Sequence, residues 1–272
     1  MIPKIIHYCW LSGEEKPQRI LDCIESWRRV MPDYEIVCWD MERFDIHSVP
    51  WVEQACKHGK WAFAADYIRL YALYHCGGIY LDSDVRVLKR FDPYLEHRAF
   101  GGIELWEDHL IWKKNEGTFD SLVMSGNTGI NIEAAIMGAE KGHPVFRAFL
   151  DYYEGRSFVP EKIGEYVMPW LLSRTAFRFG FRNDEYRYPQ VLEHDYHLYP
   201  YDYFTTQGGH PGDMSVTENT VAIHLVSLSW FTPAPPAPAP PRRRHSRYTE
   251  WRLHTIAYFK NLWDDVVVRK SR

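Results

Sequence analysis

Residues 64–85, AADYIRLYALYHCGGIYLDSDV, constrain the fold more than any other stretch of this chain. A largely apolar helical pattern runs into Gly77-Gly78, and a glycine pair stops a helix because its C-terminal end favours residues that tolerate positive φ. Ile79, Tyr80 and Leu81 then read as a short buried strand that delivers Asp82 and Asp84. If the strand continues through Asp82-Ser83-Asp84, its period of two turns both carboxylates to the same side. Two carboxylates at a strand end suit a hard divalent cation, Mg²⁺ or Mn²⁺. On the preceding helix, Asp66 and Arg69 stand three apart and share a face. They form either an ordinary helix ion pair or a grip on one polar ligand.

The pattern around this unit alternates strand and helix. Ile5, Ile6, Tyr8 and Trp10 read as a buried strand. Ile20, Cys23, Ile24 and Trp27 follow at helical spacing, and EIVCWD at 35–40 reads as the next strand. A β-α-β unit of this kind builds a parallel sheet. Further strands are expected at 85–88 and 100–103, helices at 132–141, after Pro144 and at 164–179, and late strands in HLYPYDYF and TVAIHLV. Residues 101–131, rich in Gly, Asn and charge, read as acceptor-facing loops. The expected fold class is α/β.

PAPPAPAPP at 233–241 is a stiff polyproline spacer, which divides the chain into a domain at 1–232, the spacer, and a tail at 242–272. Nine Lys or Arg stand against three Asp or Glu in the tail, although the whole chain carries a formal charge of −4. The body is therefore acidic, which argues against nucleic acid as a partner. The tail's apolar residues trace a helical stripe that fits a helix docked on the body, an oligomer contact, or a helix lying on an anionic membrane surface. Cys9, Cys23, Cys38, Cys56 and Cys76 show no paired spacing and read as reduced, buried thiols rather than a zinc site. No apolar leader precedes Ile2, and no stretch has the length of a bilayer span.

The string A-x-x-x-D-x-x-R followed by G-G-x-Y-x-D-x-D resembles the sugar-binding region of the DXD-motif glycosyltransferases. That family includes fungal mannosyltransferases, vertebrate galactosyl- and N-acetylglucosaminyltransferases and bacterial capsule enzymes. The likeness extends to IPKIIHYCWLSG, to CIESWRRVMPDYEIVCWD and, less closely, to AIHLVSLSW. It implies a GT-A-like fold with a twisted, mainly parallel sheet. It also implies transfer of a hexose, with retention, from a nucleotide diphosphate sugar to a glycan or lipid-linked acceptor in surface polysaccharide synthesis.

By the same resemblance, Asp82 and Asp84 carry the catalysis. Asp84 binds the metal, while Asp82 shares the metal or touches the ribose. Asp66 and Arg69 hold the donor, and Trp10 stacks on its base or packs in the core. His224 supplies a third metal ligand, with Ser229 and Trp230 beside the donor. Leu225 and Val226 depart from the aromatics frequent in the family at those places. Glu104, Asn127 and Asn131 fall where a residue near the reacting sugar could sit, or are loop residues. His7 reads as a satisfied core histidine. The absence of a leader before Ile2 points to a bacterial cytoplasmic enzyme, peripheral at the inner membrane if the tail binds lipid. The rivals are a phosphohydrolase whose first DxD aspartate is the nucleophile, and a non-catalytic protein that binds nucleotide sugars.

Overall fold

A computed structural model describes the fold for residues 1–105, 130–206 and 216–225. Strand β1 (Ile5–Cys9), helix α1 (Gln18–Val30) and strand β2 (Glu35–Trp39) form the first unit, with β1 and β2 parallel. Helices α2 (Pro50–Lys57) and α3 (Trp61–Cys76) lead to β3 (Gly78–Leu81), which lies parallel to β1 on its other side. Next come β4 (Val85–Val87), β5 (Ala99–Leu105), β6 (Ile130–Ala139), α4 (Pro144–Asp151) and α5 (Met168–Ala176). Strands β7 (Gln190–Leu192), β8 (Tyr196–Tyr199), β9 (Phe204–Thr206) and β10 (Ala222–His224) complete the described elements.

Seven strands make one sheet in the order β2-β1-β3-β6-β5-β8-β7. Its pairings run β1, β2, β3, β5 and β8 in one direction and β6 and β7 against them. A small sheet, β4-β10-β9, stands apart from it. One face of the large sheet buries Tyr80, Ile103 and Met137 with Val52, Ile68, Phe146 and Leu172 of helices α2 to α5. The other buries Ile6, Leu81 and Phe100 with Ile20, Ile24 and Trp27 of α1, and with Val85, Phe204 and Ala222 of the small sheet. The Trp27 indole N–H donates to Val85 O at 2.7 Å, which ties α1 to β4.

The glycine pair acts as its residue type predicts. Gly77 (φ 73°) ends α3 with its N–H on Leu73 O at 3.0 Å. Gly78 (φ 119°) opens β3 so close to β1 that a Cβ there would stand 2.6 Å from Ile5 O. Met1–Trp230 form one compact unit. The proline spacer and the basic tail lie outside the described residues, as does most of the segment expected to face the acceptor.

The expected helix at 132–141 is instead most of strand β6, and all ten residues of that strand are buried. Ala, Met and Glu favour helix in isolation, but this segment lies between β3 and β5 with both faces covered, and tertiary packing overrides so weak a preference. Gly138 belongs to that packing, because a Cβ there would meet the Phe100 ring at 2.2 Å. β6 is also irregular: Gly101 pairs with Met137 but Ile103 with Ile132, so Gly102 of β5 stands against residues 133–136. The five cysteines are free, as expected, but only Cys23 and Cys56 are buried; Cys9 and Cys38 are half-buried and Cys76 is exposed.

His7 is a satisfied core histidine. Its Nε2–H donates to Gly77 O at 2.8 Å, and its Nδ1 accepts the Trp39 indole N–H at 3.1 Å. Protonation would set two donors against each other at Nδ1, and burial lowers the His7 pKa below its usual 6.5. The unfolded chain therefore takes up a proton that the folded chain refuses. Stability from this residue is complete above pH 6.5 and is lost as pH falls toward the folded value. The urea midpoint should drop between pH 7 and 5.5 with a slope that His7→Gln, which keeps the donor to Gly77, makes shallower. Equal slopes for the two proteins would exclude His7 as the source.

Candidate functional site

Asp82 and Asp84 lie at the end of β3, but the strand does not extend through them. It ends at Leu81, and Val85 N–H closes a tight turn on Asp82 O at 2.9 Å. The turn arises because β4 must leave the large sheet to join the small one, so a straight strand through both aspartates is incompatible with the connection. The backbone of the turn is held on both sides. Asp82 N–H donates to Ala135 O at 2.9 Å, and Leu225 N–H donates to Asp84 O at 3.1 Å.

That second bond continues the antiparallel ladder of β4 and β10, in which Val85 faces His224. Residues far apart in sequence are thus set side by side. His224 Nε2 lies 3.4 Å from Asp84 Oδ1 and 3.9 Å from Asp82 Oδ2. Ligand atoms of Asp82, Asp84 and His224 all fall within 4.8 Å of one another. Burial opposes a charged His224, but the carboxylates of Asp84 and Glu133 outweigh it and hold the imidazole pKa well above its usual value.

Arg69, 4% exposed, is enclosed rather than open to a ligand. Its Nη2 lies 2.9 Å from Asp66 Oδ1 and 3.4 Å from Asp82 Oδ1, and its Nη1 donates to Ala134 O at 2.7 Å. The guanidinium also sits 4.7 Å from the Tyr80 ring centre, whose hydroxyl donates to Asp82 Oδ1 at 2.9 Å. Two carboxylates share one guanidinium. Burial pushes the Asp66 carboxyl up to about 7 against the pull of Arg69, and Asp82 adds to the rise.

Trp10 follows β1 at the same end of the sheet, half-buried, with its indole N–H on Glu14 O at 2.7 Å and Lys16 Nζ 5.2 Å from the ring centre. Glu104 and Asn131, buried and paired in register across β5 and β6, occupy that end as well. They are strand rather than loop residues. Asn127, Ser229 and Trp230 lie outside the described residues.

Sequence reasoning missed Glu133. This carboxylate is 2% exposed, places Oε1 3.4 Å from His224 Nδ1, and accepts Ala135 N–H at 2.7 Å. No motif marks it; a charged residue inside the apolar run INIEAAIMGA was the available signal.

A second group, His97, Asp195 and His197, has its ligand atoms equally close. It lies at the opposite end of the sheet, where β5 and β8 begin. Its imidazoles stack at 3.6 Å with planes 10° apart. Parallel rings direct their in-plane lone pairs alongside each other rather than toward one ion. Tyr199 OH and Asp195 already engage the two Nε2 atoms at 2.8 Å. Of the two groups among the described residues, the Asp82 group has the convergent geometry.

Residues 17–101 match the family described as glycosyltransferase sugar-binding region containing DXD motif. Inositol phosphoceramide mannosyltransferase 3 of Schizosaccharomyces pombe is 37% identical over 36% of this chain and 29% of its own length. Inositol phosphoceramide mannosyltransferase 2 of the same yeast is 25% identical over 77% of this chain and 57% of its own. The chain thus spans between about a third and three-fifths of the length of these relatives. Among solved structures, the apo bifunctional glycosyltransferase WbbM superposes with a TM-score of 0.50 at 11% identity, over 83% of this chain and 46% of its own. The fold is the expected GT-A type, with a mixed, mostly parallel sheet.

The relatives overturn the expectation of a bacterial cytoplasmic enzyme. They are yeast proteins named for a ceramide lipid. That expectation rested on a missing leader, and a missing segment carries no information about compartment. Among the described residues no helix is long and apolar enough to cross a membrane.

Proposed function

We propose, from the sugar-binding region of the DXD glycosyltransferases that this chain carries, that it transfers a hexose from a nucleotide diphosphate sugar to a hydroxyl of a lipid-linked acceptor, with a divalent cation at Asp82, Asp84 and His224. The observation that carries the reading is the convergence of those three side chains on one point beside the motif. The donor set fits Mn²⁺ or Mg²⁺, since hard carboxylate oxygens predominate and one imidazole joins them. Charge fits too. Arg69 meets Asp66 and Asp82, and His224 meets Asp84 and Glu133, so four carboxylates face one guanidinium and one imidazole, an excess of negative charge that a divalent cation offsets. When bound, such a cation supplies Lewis acidity that neutralises the leaving diphosphate.

The protein's own groups do the rest. Arg69 fixes Asp66 and Asp82, and Asp66, with its side chain 12% exposed, offers a carboxylate edge to a donor hydroxyl. Glu104 and Asn131 line the end of the sheet where the sugar would lie, and Asn131 Oδ1 is buried with no hydrogen-bond partner among the described residues. Ser229 and Trp230 stay beside the donor by resemblance alone. Retention at the anomeric carbon belongs to the same reading. The relatives' names favour mannose as the sugar and a phosphoinositol ceramide as the acceptor class over a surface polysaccharide.

A melting panel of GDP-, UDP- and CMP-sugars with and without Mn²⁺ tests the donor, because a ligand that binds only the folded state raises its stability. GDP-mannose with Mn²⁺ should give the largest shift, and mannose should then appear on an inositol phosphoceramide. No shift with any nucleotide sugar would refute the reading.

Trp10 lies where a nucleobase could stack on its ring. Trp10→Ala should weaken free nucleotide and nucleotide sugar alike by about 1–3 kcal/mol, the range for base–aromatic stacking. Titration calorimetry beside a melting curve checks this. A variant that melts early yet binds nucleotide normally would make Trp10 a packing residue.

A further inference from the structure

His224 offers a cation only one lone pair when neutral, and the nitrogen that carries its hydrogen decides which one. Nε2 faces Asp82 and Asp84, so the useful tautomer keeps its hydrogen on Nδ1. Glu133 Oε1 is 3.4 Å from that Nδ1. Among the described residues His224 Nδ1 has no hydrogen-bond partner, so no other acceptor competes for its hydrogen.

The irregular part of β6 brings Glu133 there. On the β5 side residues 133–136 stand against Gly102 alone; on the β3 side Ala135 O takes Asp82 N–H, while Ala134 O takes Arg69 and Ala135 N–H folds back onto Glu133. A neutral side chain could accept the Ala135 N–H. A carboxylate buried to 2% exposure costs several kcal/mol unless a positive group meets it, and the group that Glu133 meets is the His224 ring. Carboxylates that accept the distal N–H of a metal-bound histidine hold the ring and raise its basicity, and removing one typically weakens metal binding about 10–100-fold.

We propose that Glu133 is the positioning residue of the cation site, holding His224 by Nδ1 so that Nε2 is aimed between Asp82 and Asp84. The inference rests on the metal-centre reading above. Its test is Mn²⁺ affinity of the full chain without donor, from the free-ion EPR signal, with melting temperature in parallel. Glu133→Ala should bind Mn²⁺ about 10–100-fold more weakly than wild type. Glu133→Gln retains an oxygen for both N–H groups and should recover most of that loss. In ¹⁵N-histidine spectra of the protein loaded with diamagnetic Mg²⁺, wild-type His224 should carry its hydrogen on Nδ1 alone, and in Glu133→Ala the tautomers should mix.

Wild-type affinity in Glu133→Ala would overturn the proposal. So would a loss in both variants that merely follows their melting temperatures with the tautomer unchanged. If wild type and Asp84→Asn bind Mn²⁺ equally weakly, the metal-centre reading falls first and this inference with it.

Discussion

Asp84→Asn is expected to abolish tight Mn²⁺ binding and to slow hexose transfer by about a hundredfold or more, equivalent to roughly 3 kcal/mol of lost transition-state stabilisation. Asparagine keeps the shape of the side chain and replaces a charged oxygen ligand with a neutral amide. The β4–β10 ladder depends on the Asp84 backbone oxygen, which accepts Leu225 N–H at 3.1 Å and is untouched by the change. The melting temperature should therefore move little. Donor hydrolysis and transfer at saturating Mn²⁺, set beside circular dichroism, give the comparison. Turnover equal to wild type would remove the basis for a cation-assisted transfer.

Arg69→Met should damage fold and site together. Methionine retains much of the apolar stem over Tyr80 but removes the group that Asp66, Asp82 and Ala134 O all share. Breaking a buried ion pair by deleting one partner costs about 3–5 kcal/mol. The low end applies here, because Asp66, already near 7 beside the guanidinium, escapes part of the penalty by taking up a proton. A loss of about 3 kcal/mol corresponds to a fall in melting temperature of roughly 6–12 °C for a domain of this size. Asp82, freed from its anchor, should bind Mn²⁺ more weakly as well. Arg69→Lys keeps a charge but cannot reach three acceptors with a planar fork, so it should recover stability only in part. If Arg69→Met melted like wild type and lost only nucleotide-sugar affinity, Arg69 would be a ligand contact and not the anchor described above.

Several features could be read from the chain because short-range physics decides them. Gly77-Gly78 end a helix and open a strand wherever they occur with apolar neighbours, and α1, α3, β1, β2 and β3 follow their apolar periodicities. The segment 132–141 could not be read that way. Its Ala, Glu and Met residues satisfy a helical pattern locally, and only the neighbours β3 and β5, covering it on both sides, make a strand the better solution. The DxD turn escaped for a related reason, since the strand ends where β4 departs for another sheet.

The α/β class, the motif unit with Asp66, Arg69, Asp82 and Asp84, and His224 as a distant candidate were legible in the chain. Each of these follows from residue type and spacing within a few turns of chain, or from a resemblance that such spacing carries. Tertiary structure alone decided that His224 reaches the aspartates through β10, that Arg69 is enclosed as an anchor, and that Glu133 stands behind the imidazole. Those outcomes depend on how strands remote in sequence pair and on where β6 departs from regular register. The free energy of such pairings comes from burial and hydrogen bonds between segments, and no local pattern encodes it.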